Sequence, residues 1–306
     1  MTCLAFDTSN YTTSCAALGE GGGVNVSRLL DVQPGQLGLR QSDALFAHVK
    51  RLPELTEKLA VQLPGPITAI AASTRPRAVE GSYMPCFLAG SSFGRSMANL
   101  WGVPFFELSH QQGHIAAVLW SAGKLGLLNA PFLSWHLSGG TTELLLVRPE
   151  GALFSAEIIG GTRDLAAGQL IDRTGQMLEL PFPSGKVLDA LSQEGGAPAF
   201  RVKVEDRYFS LSGTQNQLQK LRSGGAGDAD VAHAALLTVC RAVVGATEQA
   251  LGKYPGLPVV CSGGVSSNSM LRREMAKFDA VFGAPRYSTD NAMGVAVLGR
   301  MLEGMQ

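Results

Sequence analysis

The amino-acid sequence predicts an α/β fold that contains a duplicated unit. Two observations predict it: strand patterns alternate with helix patterns along the chain, and a stretch near the start recurs later. Residues 4–18, LAFDTSNYTTSCAAL, align without a gap with residues 133–147, LSWHLSGGTTELLLV. In both stretches an apolar run precedes a polar turn with serine and threonine, and a second apolar run follows. Each copy is therefore predicted to form a β-hairpin.

The polar turns of the two hairpins are predicted to bind phosphate. The hydroxyls and backbone N–H groups of a tight turn form a concave site for an anion. Two such turns that face each other make a two-sided phosphate clamp. Two ordinary hairpins of an α/β protein are the alternative, and the repeat by itself does not decide between these interpretations.

The other elements follow in chain order. PITAIAAST at 66–74 and VPFFELS at 103–109 are typical of buried strands, whereas 91–101 and 228–252 have helical periodicity and length. A last strand at 257–261 runs into two glycines, and a helix is predicted from about Asn268. Glycines before a helix N-terminus leave N–H groups accessible to a phosphate or ribose. The same arrangement also occurs for packing alone.

The composition indicates a large core and gives no overall charge for attracting nucleic acid. The chain has 306 residues, 45% of them hydrophobic, and its 25 Lys and Arg balance its 25 Asp and Glu. A nucleic-acid contact therefore needs a local basic patch. The candidate basic pairs are Lys50-Arg51, Arg75 with Arg77, Lys220 with Arg222, and Arg272-Arg273.

The N-terminus and the cysteines indicate a reduced, cytoplasmic location. The opening MTCLAFDTSN lacks the basic start and long apolar core of a secretion signal. No uninterrupted apolar run approaches the roughly 20 residues of a membrane helix, so no membrane contact is expected. The five cysteines are scattered and form no CxxC pair, which disfavours disulfides and a zinc ribbon.

A pair of histidines forms a candidate metal site. His110 and His114 are four residues apart, so on a helix both imidazoles lie on one face. Asp290, between an aromatic stretch and a predicted helix, is a candidate third ligand. Two histidines and one carboxylate suit iron or zinc acting as a Lewis acid. Two solvent-facing histidines and a helix-capping aspartate are the alternatives.

These motifs, in this order, resemble the TsaD family, the catalytic subunit of tRNA threonylcarbamoyladenosine synthase. The resemblance runs from residue 3 to about residue 303. Eight segments of the chain resemble motifs of the family. They are residues 7–12 (ETSxDxT), 110–114 (HxxGH), 138–144 (SGGxTxL), 164–173 (DDAAGExFDK), 183–186 (PGGP), 209–213 (FSFSG), 263–268 (GGVxxN) and 289–291 onward (TDNxxM).

The resemblance implies an actin-like ATPase fold, with two duplicated RNase H-like subdomains around a central nucleotide and metal cleft. The first would span 1–108, completed by a C-terminal helix at 291–306, and the second 109–290. The implied activity is metal-dependent transfer of threonylcarbamoyl from threonylcarbamoyl-AMP to N6 of adenosine 37 in tRNA. The implied partners are tRNA, a TsaB-like paralogue and a TsaE-like ATPase.

The resemblance also implies the site residues. His110, His114 and Asp290 would hold one iron or zinc ion. An adenylate-type nucleotide, threonylcarbamoyl-AMP or ATP/ADP, would be bound by Ser9, Thr12, Ser138, Gly139, Gly140, Asp172, Gly185, Asp189, Gly263, Gly264 and Asn268.

The chain departs from the family pattern around the groove. The glycine-rich TxGPG segment is here Thr74-Arg75-Pro76-Arg77, and Leu165, Gln169 and Arg173 replace charged residues of DDAAGExFDK. These departures leave two alternatives open. One is a diverged paralogue that transfers a carbamoyl-type group to another acceptor, and the other is a non-catalytic partner subunit.

Overall fold

A computed structural model describes residues 1–9, 11–31 and 39–305. The chain forms two compact units: unit 1 comprises Met1–Gly126, Pro149–Ser155 and Thr289–Gln306, and unit 2 comprises Leu127–Arg148 and Ala156–Ser288. The subdomain limits implied by the family resemblance stay a prediction.

The described residues contain strands and helices in alternation. The strands are β1 Thr2–Asp7, β2 Thr12–Gly19, β3 Gly22–Leu29, β4 Ile67–Arg75, β5 Phe105–Ser109, β6 Phe132–Leu137, β7 Thr142–Glu150, β8 Leu153–Thr162, β9 Tyr208–Phe209, β10 Val259–Ser262 and β11 Val281–Phe282. The helices are α1 Gln41–Ala60, α2 Phe87–Trp101, α3 His110–Ser121, α4 Ala167–Met177, α5 Gly185–Ser192, α6 Ser212–Ser223, α7 Asp228–Lys253, α8 Ser269–Met275 and α9 Met293–Glu303.

The two sheets share one strand order, which confirms the predicted duplication. The first sheet runs β3-β2-β1-β4-β5, and the second runs β8-β7-β6-β10-β11 with β9 added beside β8. In each sheet the first two strands in sequence are antiparallel, as the hairpin patterns predict, and the later strands pair in parallel. The strands predicted at 66–74, 103–109 and 257–261 are β4, β5 and β10, and the predicted helices are present.

Strand β1 lies at the centre of unit 1 and is buried on both faces, which explains its continuous apolar run. On one face Phe6 packs edge-to-face against Phe93 of α2, with ring centroids 5.5 Å apart. On the other face Cys3 lies against Gly299 of α9. Since β1, β4 and β5 are parallel, their carboxyl ends lie along one edge of the sheet. Polar residues at those ends are thereby gathered in one place.

Helix α7 has a length and composition that would allow it to cross a membrane, and 67% of its most apolar 18-residue window is buried inside the protein. It packs against α4, α5, α6 and α8. The apolar sequence of α7 is interrupted by Arg241 and Glu248, so it contains no continuous apolar run of membrane-spanning length. Its burial identifies α7 as a core helix of unit 2.

The five cysteines, all among the described residues, are buried and free, as the absence of a CxxC motif predicts. Burial raises the pKa of the Cys15 thiol to about 12. Burial likewise raises the pKa of the Cys261 thiol to about 12. These thiols are therefore protonated, inert parts of the core.

Helices α3 and α9 pack closely because each has a glycine at the contact. A Cβ atom at Gly294 would overlap the carbonyl oxygen of Gly113 and lie 2.7 Å from the backbone nitrogen of Ala117. We therefore expect Gly294→Ala to lower the free energy of unfolding by about 1–3 kcal/mol. Gly304→Ala is the control, since its nearest neighbours would lie at 3.6 Å. Urea denaturation of both variants tests this, and equal stabilities would contradict the close contact.

Candidate functional site

The first candidate site is in unit 1, where strand β5 passes directly into helix α3. The Ser109 side chain accepts a hydrogen bond from the Gln112 amide at 3.2 Å, and the Gln112 side chain accepts one from the Ser109 amide at 3.0 Å. This capping box begins the helix at His110. His110 and His114 are then one turn apart, with ring centroids separated by 4.3 Å.

Asp290 completes a three-residue donor set. Its Oδ1 lies 3.3 Å from His114 Nε2 and 3.7 Å from His110 Nε2, and the two Nε2 atoms are 2.9 Å apart. Atoms that bind one zinc or iron ion at about 2.0–2.2 Å are separated by about 3–4 Å. The donor types and their separations therefore fit a single divalent ion.

The alternative that Asp290 caps a helix is wrong. The N-cap residue of α9 is Ala292, and the Asn291 side chain accepts the hydrogen bond from the Met293 amide at 3.0 Å. Asn291 therefore has the capping function, and the Asp290 carboxylate is directed at the histidines. The alternative of two solvent-facing histidines is also wrong, because the His114 side chain is buried at 4% exposure.

Strand residues from the other end of the chain hold the Asp290 segment. The Ala292 amide donates to Ser14 Oγ at 2.9 Å and to Asn25 Oδ1 at 3.1 Å. Sequence reasoning missed Ser14 and Asn25, since neither belongs to a motif. Only the pairing of β2 with β3, which places Ser14 opposite Ser27, brings them near each other.

Asp7, at the end of β1, orients the first histidine. It is 1% exposed, and its Oδ2 accepts a hydrogen bond from His110 Nδ1 at 2.8 Å while its Oδ1 accepts one from the Ser9 amide at 2.9 Å. The bond to Nδ1 leaves His110 Nε2 for an ion, as carboxylate partners of metal-binding histidines commonly do. A buried aspartate at the end of a central strand is the sequence signal for this function.

The charges of this cluster shift its pKa values. Burial opposes ionisation of Asp7, but the charge and hydrogen bond of His110 outweigh it and hold the pKa of Asp7 well below its usual range. Burial opposes the charge on His110 as well, but Asp7 and Asp290 raise the pKa of His110 to about 9. Burial and the neighbouring His110 charge lower the pKa of His114. Without an ion, the two histidines therefore carry one positive charge between them, and it lies on His110.

Ser9 and Thr12, predicted at the phosphate, flank the turn between β1 and β2. Ser9 is 2% exposed, and its Oγ has no hydrogen-bond partner among the described residues. Thr12 begins β2, opposite Leu29 of β3. Asn10, within this turn, lies outside the described residues.

The second candidate site, in unit 2, begins with the matching turn between β6 and β7. The Ser138 amide donates to the Thr141 carbonyl at 2.8 Å, and the Thr141 amide donates to Ser138 Oγ at 3.1 Å. Gly139 and Gly140 are exposed, and a Cβ at either would meet nothing within 4 Å. Both glycines therefore lie at the protein surface.

Glycines pack two further elements against this turn. A Cβ at Gly168, near the start of α4, would lie 2.6 Å from the Gly139 Cα atom. Gly263, after β10, has a φ of 88° and lies against the backbone of Leu137. Its neighbour Gly264 begins a short 3₁₀ helix, Gly264–Ser267. Both glycine contacts require the missing side chain.

Two sets of hydrogen bonds at helix α5 involve the remaining predicted residues, Asp172, Asp189 and Asn268. Asp172 Oδ1 accepts the Ser184 amide at 2.9 Å, beside Gly185, the first residue of α5. One turn later Asp189 accepts from Asn268 Nδ2 at 2.9 Å and from the Ser269 amide at 3.0 Å. Within unit 2, contacts therefore connect the predicted nucleotide residues from the 138–140 turn through α4 and α5 to Asn268.

The Asp7–His110 pair makes the stability of the metal-free protein depend on pH. The pKa of His110 is about 9 in the folded state, above about 6.5 when unfolded. The stabilisation of the folded state by the Asp7–His110 pair is therefore complete below about pH 6.5 and is lost as pH rises through 9. We expect the free energy of unfolding in EDTA to fall by up to about 3 kcal/mol across this window.

Asp7→Asn provides the comparison, because it removes the charge that raises the pKa of His110. Its urea-unfolding free energies should depend less on pH between 6.5 and 9 than those of the wild type, while thiol ionisation in the unfolded chain affects both proteins equally. Equal slopes for the two proteins would exclude the pair as the source.

Comparison with known proteins identifies relatives along nearly the whole chain. The family model described as TsaD, tRNA N6-adenosine threonylcarbamoyltransferase, matches residues 20–297. The protein of that name from Carboxydothermus hydrogenoformans is 33% identical over 276 residues, which cover 83% of this chain and 81% of the relative. The one from Anaeromyxobacter sp. is 31% identical over 322 aligned residues, covering 98% and 93%.

Solved structures share the fold at low identity. Full-length HypF, in a phosphate- and nucleotide-bound form, gives a TM-score of 0.63 at 14% identity and covers 99% of this chain and 55% of its own. Component A of (R)-2-hydroxyglutaryl-CoA dehydratase from Acidaminococcus fermentans gives 0.55 at 16% identity, with 100% of both chains covered. These neighbours and the duplicated sheets show the actin-like ATPase fold, and the sequence matches show that the chain belongs to the TsaD family of tRNA N6-adenosine threonylcarbamoyltransferases.

Proposed function

We propose that this protein transfers the threonylcarbamoyl group of threonylcarbamoyl-AMP to N6 of adenosine 37 in tRNA. The observation that carries the proposal is the His110, His114 and Asp290 donor set, buttressed by Asp7, in a chain of the TsaD family. In the reaction the adenine N6 amine attacks the carbamoyl carbon. The carbon–oxygen bond to the phosphate breaks, AMP leaves, and the amine loses a proton.

His110, His114 and Asp290 are the proposed ligands of one iron or zinc ion. When bound, the ion supplies a Lewis acid that polarises a carbonyl group. Asp7 holds the Nδ1 proton of His110, so that Nε2 is the metal-binding atom. Ser14 and Asn25 fix the backbone two residues after Asp290. The ligands are thereby preorganised by residues from three strands and two helices.

The nucleotide is proposed to bind to the connected residues of unit 2. The Ser138–Gly140 turn offers N–H groups to the phosphate. Asp172 Oδ1 is occupied by the Ser184 amide, which leaves Oδ2 for the ribose hydroxyls. Gly185 and Gly263 to Gly264 admit the nucleotide close to the backbone, and Asp189 positions Asn268. For Ser9 and Thr12, in the turn after β1 of unit 1, binding of phosphate stays a prediction.

The proposed partners are tRNA, a TsaB-like paralogue and a TsaE-like ATPase, in the cytoplasm. Family membership supports tRNA as the acceptor, and the five free, buried cysteines are compatible with a reducing compartment.

A diverged acceptor is the second candidate function, because one segment of unit 1 departs from the family. Arg75 and Arg77 stand where the family has a glycine-rich segment, and the Arg75 Nε atom is buried without a hydrogen-bond partner among the described residues. A guanidinium at the end of β4 would suit a different, anionic acceptor. The three retained metal donors, in contrast, oppose a purely non-catalytic subunit.

Metal content tests the donor set. We expect the purified protein to hold one ion per chain and His114→Ala to lose it, since two of the three donors rarely retain a divalent ion at nanomolar free metal. His233→Ala is the control, because within the described part of the chain the hydrogen bond of the His233 side chain is to the Ala197 carbonyl of unit 2. Elemental analysis after dialysis gives the result. Full metal content in His114→Ala would contradict the site.

Reconstitution with the partner proteins, ATP, threonylcarbamoyl-AMP and an unmodified tRNA transcript tests the reaction. We expect threonylcarbamoyladenosine by mass spectrometry of the digested tRNA, and a kcat/KM about 10–100-fold lower for Asp172→Asn, from lost charged hydrogen bonds to ribose. Asp279→Asn is the charge-matched control in an exposed turn. Metal-loaded protein that leaves tRNA unmodified would favour the diverged acceptor.

A further inference from the structure

Unit 2 contains a surface cavity that belongs to neither candidate site. It has a volume of about 280 Å³, and its lining includes three basic residues, one acidic residue and an aromatic ring: Arg163, Arg201, Lys203, Glu205 and Tyr208. A second cavity of about 250 Å³ shares Arg201 and Val202 with the first and is also lined by Arg241 of α7. We call Arg163, Arg201, Arg241 and Tyr208 the arginine surface.

The β8–β9 pairing holds two members of this surface together. Gly161 and Thr162 pair in parallel with Tyr208 and Phe209, and the next residue, Arg163, donates its amide to the Phe209 carbonyl at 2.8 Å. The Arg163 guanidinium consequently lies 5.6 Å from the centre of the Tyr208 ring. The guanidinium thus lies over one face of the Tyr208 ring, and the two groups form a cation–π pair.

The turn that precedes Tyr208 is rigid. Asp206 and Arg207 have φ values of 51° and 71°, in the left-handed region that such residues rarely adopt. Arg207 Nε donates to the Ile159 carbonyl at 2.8 Å, and its amide donates to Gln249 Oε1 at 2.8 Å. These bonds offset the strain and fix the position of Tyr208. The aromatic platform is therefore preorganised.

The charges of the arginine surface are not neutralised within the described residues. Arg163, Arg201 and Arg241 form no ion pair with a described carboxylate, whereas Lys203 pairs with Glu205 at 3.1 Å. The positive end of α6 does not add to this charge, because the Asp164 carboxylate accepts hydrogen bonds from the Leu211 and Ser212 amides there. In a chain of zero net charge, the arginine surface is a local concentration of positive charge.

In three of the four basic pairs selected from the sequence, one arginine contacts other groups of the protein. Arg51 pairs with Asp31 and Arg222 pairs with Asp228. Arg272 donates to the Ser266 carbonyl at 3.1 Å and to the Gly283 carbonyl at 3.0 Å. These arginines therefore support the fold.

We infer that the arginine surface binds the sugar–phosphate backbone of the tRNA, an inference that rests on the proposed function. Two adjoining cavities that share one arginine suit a ligand with regularly repeated phosphates, which guanidinium groups bind in bidentate fashion. The Tyr208 ring offers a face on which an unpaired base can stack. An acidic protein segment would supply charge but no base for that ring, so RNA fits the surface better.

The test compares two triple variants of the full chain, loaded with metal and mixed with its partner proteins. The first is Arg163→Gln, Arg201→Gln and Arg241→Gln. The control is Arg148→Gln, Lys253→Gln and Lys277→Gln, which removes the same charge from unit 2 at residues that line neither cavity. The dissociation constant for an unmodified tRNA transcript is measured against salt concentration.

We expect the arginine variant to bind tRNA at least about tenfold more weakly near 0.1 M salt, with the slope of log affinity against log salt reduced by about two to three. The control variant should change that slope by less than about one. Tyr208→Leu should weaken binding without changing the slope, whereas Tyr208→Phe should bind as the wild type does. Unchanged melting temperature and metal content show that each variant is folded.

The possible failures are distinguishable. If the wild type binds and modifies tRNA and the arginine variant matches it, the inference is wrong and the proposed function stands. If the wild type neither binds nor modifies tRNA, both are wrong. If the arginine variant keeps its tRNA affinity but loses binding to polyglutamate, the surface recognises acidic protein and the inference is overturned.

Discussion

A hydrogen bond between the buried Asp7 and the half-buried His110 is the interaction on which the arrangement of unit 1 depends. It joins the end of the central strand β1 to the first residue of α3. A buried carboxylate is costly unless a positive charge or hydrogen-bond donors compensate it, and His110 together with the Ser9 amide provides both. The same contact selects the ring nitrogen that His110 presents to an ion. Stability and chemistry are therefore coupled at one contact.

The close packing of α3 on α9 supplies the third ligand. Gly113 lies between the two histidines in the sequence, and its carbonyl meets Gly294, so the helices approach at backbone distance. The segment before α9 is then held by Ser14 and Asn25, close to the histidines. The two glycines act through absent side chains, since any Cβ at Gly294 would separate the helices and withdraw Asp290. The three candidate metal donors are thus brought together from distant parts of the chain.

In unit 2 the same hairpin serves another purpose. Where β1 ends in Asp7, β6 ends in Leu137 and is followed by the exposed Ser138–Gly140 turn, against which Gly168 and Gly263 pack. One copy of the repeat thus carries a buried carboxylate beside the candidate metal site, and the other carries an exposed glycine turn that is predicted to bind phosphate. The two copies share one strand arrangement, and they differ in the residues at the ends of β1 and β6.

The sequence by itself determined the hairpins, the strands β4, β5 and β10, and the spacing of His110 and His114, because these depend on local periodicity and on helical repeat. Its motifs also sufficed to indicate the family. Tertiary structure alone decided that Asp290 faces the histidines instead of capping α9, and that Asn291 is the cap. It alone brought Ser14 and Asn25 to Ala292, and gathered Arg163, Arg201 and Arg241 around adjoining cavities. The physical reason is that hydrogen bonds and packing between residues far apart in sequence leave no periodic pattern in the chain.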